Sequence, residues 1–195
     1  MTRHLSEDLQ QFWPATPKNE MAEANLVLHL GAVLRARRFR VFAEVPLVGE
    51  RTAHIDLLAF NDELAIAVEA NRLFNTDKAD EMASDFERVM DGQLPTYEGS
   101  QRIPNTARLV GLIVASTWQT SIRDWWLAED QRIAPGVGAG WGRLSDALDA
   151  ADGDVGVLQI QDDPDGSRTQ WLLYAWKERT MPFTPTPPPP PPMSR

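Results

Sequence analysis

Apolar and polar positions alternate along this chain in blocks that read as separate elements. Residues 52–60 and 63–71 are two apolar runs joined by the polar pair Asn61-Asp62, a pattern that predicts a β-hairpin. Upstream, the spacing of Val27, Leu30 and Leu34 predicts a helix over 19–38. Asn19 is its expected N-cap, and Arg35, Arg37 and Arg38 fall in the last turn, where cations suit the helix dipole. Glu23, four residues before Val27, falls on the apolar stripe of this helix. A strand over 39–47 follows; it contains Glu44 and is closed by Val48-Gly49-Glu50.

Beyond the hairpin, Ala79, Met82, Ala83, Phe86, Val89 and Met90 make one apolar face of a helix over 76–91. Thr76 or Asp77 would cap it and Gly92 would end it. Residues 108–115 form a continuous apolar run, the mark of an interior strand covered on both sides. Helical segments are expected near 119–130 and 143–151, with the glycine-rich stretch 135–142 between them read as a mobile loop. Strands at 154–161 and 169–176 flank a turn at 162–166. The adjacent Trp125 and Trp126 cannot share one helix face, so one of them is expected at an interface. Residues 1–18, with Pro14 and Pro17, read as a lead-in, 19–180 as one domain, and 181–195 as an extended polyproline tail.

Two carboxylates interrupt the hairpin where Val or Leu would otherwise continue: Asp56 in the first strand and Glu69 in the second. A buried, ionised carboxylate is costly without a partner, and two acids on adjacent strands can converge on one divalent cation. The alternative is that each acid is held in an ion pair or solvates itself near a turn. Strand alternation puts Asn71 on the face of Glu69 and sends Arg72 to the opposite face.

Asp56 followed thirteen residues later by Glu69-Ala70-Asn71 resembles the signature of the PD-(D/E)xK nuclease superfamily. In that family an Asp on one strand precedes Glu-x-Lys on the next; here Asn71 stands in place of the lysine. The resemblance covers about residues 19–118 and implies an α/β fold, restriction-endonuclease-like, with an αβββαβ core and a mixed sheet of four to six strands flanked by helices. It also implies a Mg²⁺ (or Mn²⁺) ion held by Asp56, Glu69 and the Ala70 carbonyl, with Glu44 and Glu23 as auxiliary acids. Each of the last two is equally well read as an ordinary solvated or strand-end acid.

The implied function is a Mg²⁺-dependent nuclease hydrolysing phosphodiesters of nucleic acid, with DNA the expected substrate. Asparagine at position 71 can orient water but brings no charge. Lys78, at the start of the second helix, could reach the site, although a solvated helix lysine is the plainer reading. His54 shares a strand face with Asp56 and reads as a structural histidine or a neighbour of the site. The basic run from Arg35 to Arg40 suits either phosphate contact or the end of a helix. The second function the pattern allows is a catalytically degenerate nuclease-fold binding protein, an immunity or inhibitor partner or an accessory subunit of a defence or toxin system.

Composition narrows the choice only slightly. A net charge of −9 argues against a protein that coats nucleic acid non-specifically and suits a basic protein partner. There are no cysteines, which excludes disulfides and thiolate metal sites and fits a cytoplasmic location. The first eight residues lack the form of a secretory signal, and no apolar run approaches the roughly 20 residues a membrane span needs, so no membrane role is expected. The glycines of 135–142 do not follow a strand in a βαβ unit and so make no dinucleotide fingerprint.

Overall fold

The computed structural model describes residues 23–46, 54–91, 108–128, 132–150, 154–161 and 169–179. Its elements are α1 (Glu23–Ala36), β1 (Arg40–Pro46), β2 (His54–Phe60), β3 (Leu64–Arg72), α2 (Thr76–Asp91), β4 (Arg108–Thr117), α3 (Thr120–Leu127), α4 (Gly140–Ala150), β5 (Val155–Gln161) and β6 (Gln170–Arg179). The six strands form one mixed sheet in the order β1-β2-β3-β4-β6-β5. Only β3 and β4 run parallel, joined through α2 as a parallel connection requires. The fold is therefore α/β, with helices on both faces of the sheet. The lead-in and the proline-rich tail lie outside the described residues.

Strand alternation distributes the two faces. Leu57, Ala59, Val68, Ala70 and Val114 pack with Leu26 and Leu34 of α1. On the opposite face Ile113, Ala115, Leu173 and Ala175 meet Met82, Phe86, Trp126 and Leu148 of the other three helices. Val89 of α2 extends this second layer over Leu58, Phe60, Ala65 and Ala67. Residues 65, 67, 69 and 71 of β3 thus point toward α2, and 68, 70 and 72 toward α1.

Local signals set the element ends. The Asn61 side chain closes the β2–β3 hairpin by accepting hydrogen bonds from the amides of Glu63 (2.9 Å) and Leu64 (2.8 Å). Helix α1 stops two residues short of the expected end. Arg38 adopts a left-handed φ of 68°, and the amides of Arg38 and Phe39 bond back to the carbonyls of Arg35 and Leu34. This is a Schellman termination carried by an arginine where glycine is usual. The cap of α2 is neither Thr76 nor Asp77 but Asn75, whose side chain accepts from the Lys78 amide at 2.9 Å. The buried edge of α1 runs along Leu26, Gly31 and Leu34, which leaves Glu23 at its margin, half exposed.

Two expectations are corrected. The stretch 135–142 is not a free loop, for its last three residues begin α4 and two of its glycines, Gly138 and Gly140, pack against α2. A Cβ at Gly140 would come within 2.1 Å of the Thr76 carbonyl oxygen, and Gly138 has a φ of +134° with Thr76 equally close. Trp125 and Trp126 are both buried, because α3 is short and wedged. Trp125 meets Trp141 of α4 edge-on at 5.2 Å, while the Trp126 indole N–H donates to the Tyr174 carbonyl of β6 at 3.3 Å.

Candidate acidic site on the hairpin

One row across the sheet collects the acids. Register puts Glu44 of β1 opposite Asp56 of β2, and Asp56 opposite Glu69 of β3. Pairing is interrupted along this row. The β2–β3 ladder ends at Leu57 with Val68, one step before Asp56 and Glu69, and the β1–β2 ladder omits Glu44 and Asp56 before resuming at Val45 with Ile55. Where the ladder stops, a side chain takes its place: Asp56 Oδ2 accepts a 2.7 Å hydrogen bond from the Ala70 amide. Glu44 has a left-handed φ of 51°, a strained conformation for a residue with a side chain.

Glu69 is the most enclosed member, 4% exposed, and its Oε1 has no hydrogen-bond partner. The Asp56 and Glu69 carboxyl groups lie within hydrogen-bonding reach of each other, so a proton held by one can be shared. Burial, and then the charges of Asp56 and Asp85, push the Glu69 carboxyl up to about 9, against a smaller opposing pull from Arg88. Burial also raises Asp56, with the Ala70 amide and Glu69 acting the other way and Glu44 adding to the rise. One arginine serves three acids, Glu69 buried and Asp56 and Asp85 half-buried.

That arginine and the third acid come from α2. Asp85 accepts a 3.1 Å hydrogen bond from the Asn71 amide nitrogen, and the Arg88 guanidinium pairs with Asp85 one helical turn away. Arg88 Nη1 stands 3.6 Å from Glu69 Oε1 and donates to the His54 carbonyl at 3.5 Å. Burial raises the Asp85 carboxyl, while Asn71 and Arg88 lower it.

The residues marked in the sequence therefore divide. Asp56, Glu69, Ala70 and Asn71 come together, and Glu44 stands beside Asp56 with its side chain exposed. Glu23 pairs with Arg72 at 3.5 Å, and Arg72 in turn lies 6.0 Å from the Phe74 ring. Glu23 reaches the cluster only through the effect of its charge on Asp85. Lys78 pairs with Glu81 on its own helix. Asp85 and Arg88 carry no mark in the strand pattern. Their one sequence signal is an acid and a base three residues apart at the border of the apolar face of α2.

Among the described residues no three His, Asp or Glu side chains converge as a ready metal cage. The adjacent donors are two carboxylates and one strand edge. In a strand the amide and carbonyl of a residue share an edge, so the Ala70 carbonyl faces the same gap as the amide that Asp56 engages. This all-oxygen set fits Mg²⁺, which is commonly bound by one or two carboxylates with water and phosphate completing its shell. The buried Oε1 of Glu69, which accepts no hydrogen bond and has Arg88 Nη1 at 3.6 Å, is the observation that fits such an ion. Protein-family models, curated proteins and solved structures contain no match to the chain.

Proposed function

We propose that the protein is a Mg²⁺-dependent phosphodiesterase of nucleic acid, most simply DNA, built on a restriction-endonuclease-like core. The order helix, three strands, helix, strand from α1 to β4 supports the reading, as does the position of the acids on the middle two strands. The observation that carries it is the Asp56–Glu69 pair, in which the buried Glu69 Oε1 accepts no hydrogen bond. Two like charges held close together are unfavourable unless a proton neutralises one of them or a cation joins them.

Asp56, Glu69 and the Ala70 carbonyl would hold the ion. When bound, it supplies Lewis acidity to a water molecule and to the phosphate. In the hydrolysis a P–O bond forms to the water oxygen, the ester P–O bond breaks, and a proton ends on the departing oxygen. The chain orients the site through its own contacts. The Ala70 amide fixes the Asp56 carboxylate in one rotamer, and Asn71 commits its amide nitrogen to Asp85. Asn71 therefore acts on the acid of α2 and does not replace a lysine charge.

A second reading, a catalytically degenerate nuclease-fold binding protein, is favoured by Arg88. Its guanidinium already supplies part of the positive charge that a cation would bring. Calorimetric titration with Mg²⁺ and Mn²⁺ separates the two. The nuclease reading expects saturable binding by the wild type, its loss in Asp56→Asn, and Mn²⁺-dependent nicking of supercoiled plasmid that Glu69→Gln removes. A wild type that neither binds the ions nor nicks the plasmid leaves the binding-protein reading.

A further inference from the structure

Arg88 is fixed from three sides. It pairs with Asp85, stands 3.6 Å from Glu69 Oε1, and donates to the His54 carbonyl. Asp85 is itself held by Asn71 at 3.1 Å. Position 71 thus acts through a chain of contacts, from Asn71 to Asp85 to Arg88, that ends at the buried Glu69 of the Asp56–Glu69 pair. Resting on the nuclease reading of that pair, we propose that Arg88 is the cationic group that contacts the scissile phosphate, aimed by Asp85 and Asn71 as positioning residues.

Charge, access and geometry support this assignment. Ionised Asp56, Glu69 and Asp85 carry three negative charges and Arg88 one positive. The cluster is then two charges short of neutrality, which is one divalent cation with Arg88 still in place. Arg88 has no need to leave when an ion enters. Its side chain is 26% exposed, against 20% for Asp85 and 5% for Glu69, so the guanidinium borders solvent where Glu69 does not. A guanidinium presents five donors in a planar fork that matches phosphate oxygens, and acids on one edge leave other donors to turn outward. Asp85 and Arg88 are separated by one turn of a sixteen-residue helix, so the aim is set by rigid backbone. Among the described residues, Lys78 is committed to Glu81 and Arg72 to Glu23.

The test uses the full chain with Arg88→Gln and Arg88→Lys. Four quantities are read: the unfolding midpoint, Mn²⁺ affinity by calorimetry, binding of a 30-base-pair DNA duplex with Ca²⁺ across a salt series, and plasmid nicking at saturating Mn²⁺. Arg88→Gln should bind Mn²⁺ at least as tightly as the wild type, since a like charge has left the neighbourhood of the ion. Its nicking rate should fall by about 10²- to 10³-fold, the scale of one preorganised electrostatic contact. The salt slope of duplex binding should drop by about one. Arg88→Lys should recover part of the rate, and Asn71→Ala should show a smaller loss without a change in Mn²⁺ affinity.

Unchanged nicking and an unchanged salt slope in Arg88→Gln would overturn the assignment while leaving the metal site intact. Loss of Mn²⁺ binding together with a fall in the unfolding midpoint, in both variants, would make Arg88 a structural counter-ion and also overturn it. A wild type that binds neither Mn²⁺ nor duplex refutes the nuclease reading itself, and the role of Arg88 falls with it.

Discussion

Without a bound cation the protein should lose stability as pH rises through neutrality, and Glu69→Gln should remove most of that loss. An unperturbed glutamate titrates at 4.5, whereas the buried Glu69 carboxyl is pushed up to about 9. Below the lower value the group is protonated in both folded and unfolded chains, and it has no effect on their balance. Between the two values the unfolded chain has released the proton and the folded chain retains it. Unfolding then releases a proton, and stability falls by ~1.4 kcal/mol per pH unit. Pure water at neutral pH lies two and a half units above 4.5, so the Glu69 contribution there is a loss of ~3 kcal/mol relative to pH 4.5. The slope should end near pH 9, where the folded state also gives up the proton. Asp56 and Asp85 are raised as well, so the wild-type profile slopes in the same sense at its acidic end.

Glutamine at position 69 has nearly the shape of protonated glutamate and no proton to lose. Urea unfolding read by the fluorescence of the seven tryptophans, with chelator present, gives the stability of both proteins from pH 4.5 to 9. Their difference cancels most of the titration they share. It should be near zero at pH 4.5 and favour Glu69→Gln by ~3 kcal/mol at pH 7. Saturating Mg²⁺ should stabilise only the wild type, and more at pH 8 than at pH 6, because the ion competes with the proton for the same carboxylate. A mutant less stable than the wild type at pH 7, with a flat wild-type profile, would refute the reasoning. Glu69 would then be ionised and held by Arg88 as a structural ion pair.

Asp56→Ala should cost ~1–3 kcal/mol, because the Ala70 amide loses its acceptor in a buried position, whereas Asp56→Asn keeps an acceptor oxygen and should stay close to wild type. Chemical denaturation of the two variants side by side checks this, and equal losses would count against it. Gly140→Ala should destabilise by at least ~1–3 kcal/mol, since its Cβ would meet the Thr76 carbonyl oxygen, while Gly142→Ala, where a Cβ meets nothing within 4 Å, should be neutral or mildly stabilising. Thermal melts of these two variants should differ by several degrees in that order.

The hairpin and the facing of its acids were legible because a strand has a period of two. Once Asn61-Asp62 is read as the turn, alternation puts Asp56 and Glu69 on one face and sends Arg72 to the other. That turn would set Asp56 opposite Ala67, however; the pairing of Phe60 with Ala65 is what brings Glu69 opposite Asp56. Asp85 and Arg88 were not legible in this way. On α2 they border the face formed by Met82, Phe86 and Val89, and a sequence cannot say which border of a helix comes to rest over which strand. That depends on the β3–α2–β4 crossover, which carries α2 across the face of residues 67, 69 and 71. The tryptophan pair failed for a related reason. A single buried face was assumed for a helix that the structure covers from two sides, by Trp141 and by β6. In the glycine-rich stretch, composition suggested freedom, but absent side chains also permit close approach, and contact with Thr76 decides between the two.

Backbone strain coincides with the row of acids. Among the described residues two non-glycine positions have positive φ, Arg38 and Glu44. Arg38 has a structural reason, since it ends α1 and satisfies that helix's last carbonyls. Glu44 has no comparable reason within its strand. Such a conformation costs ~1–3 kcal/mol, and it falls in the row where the β1–β2 ladder skips a pair and the β2–β3 ladder ends. Removing the departures in this row would take only a Val or Thr at each of positions 44, 56 and 69, which would continue the sheet and fill its core. The row instead combines strain, missing ladder bonds and buried like charge. Each of these lowers stability, and on the proposed reading a cation joining the carboxylates would offset the like charge.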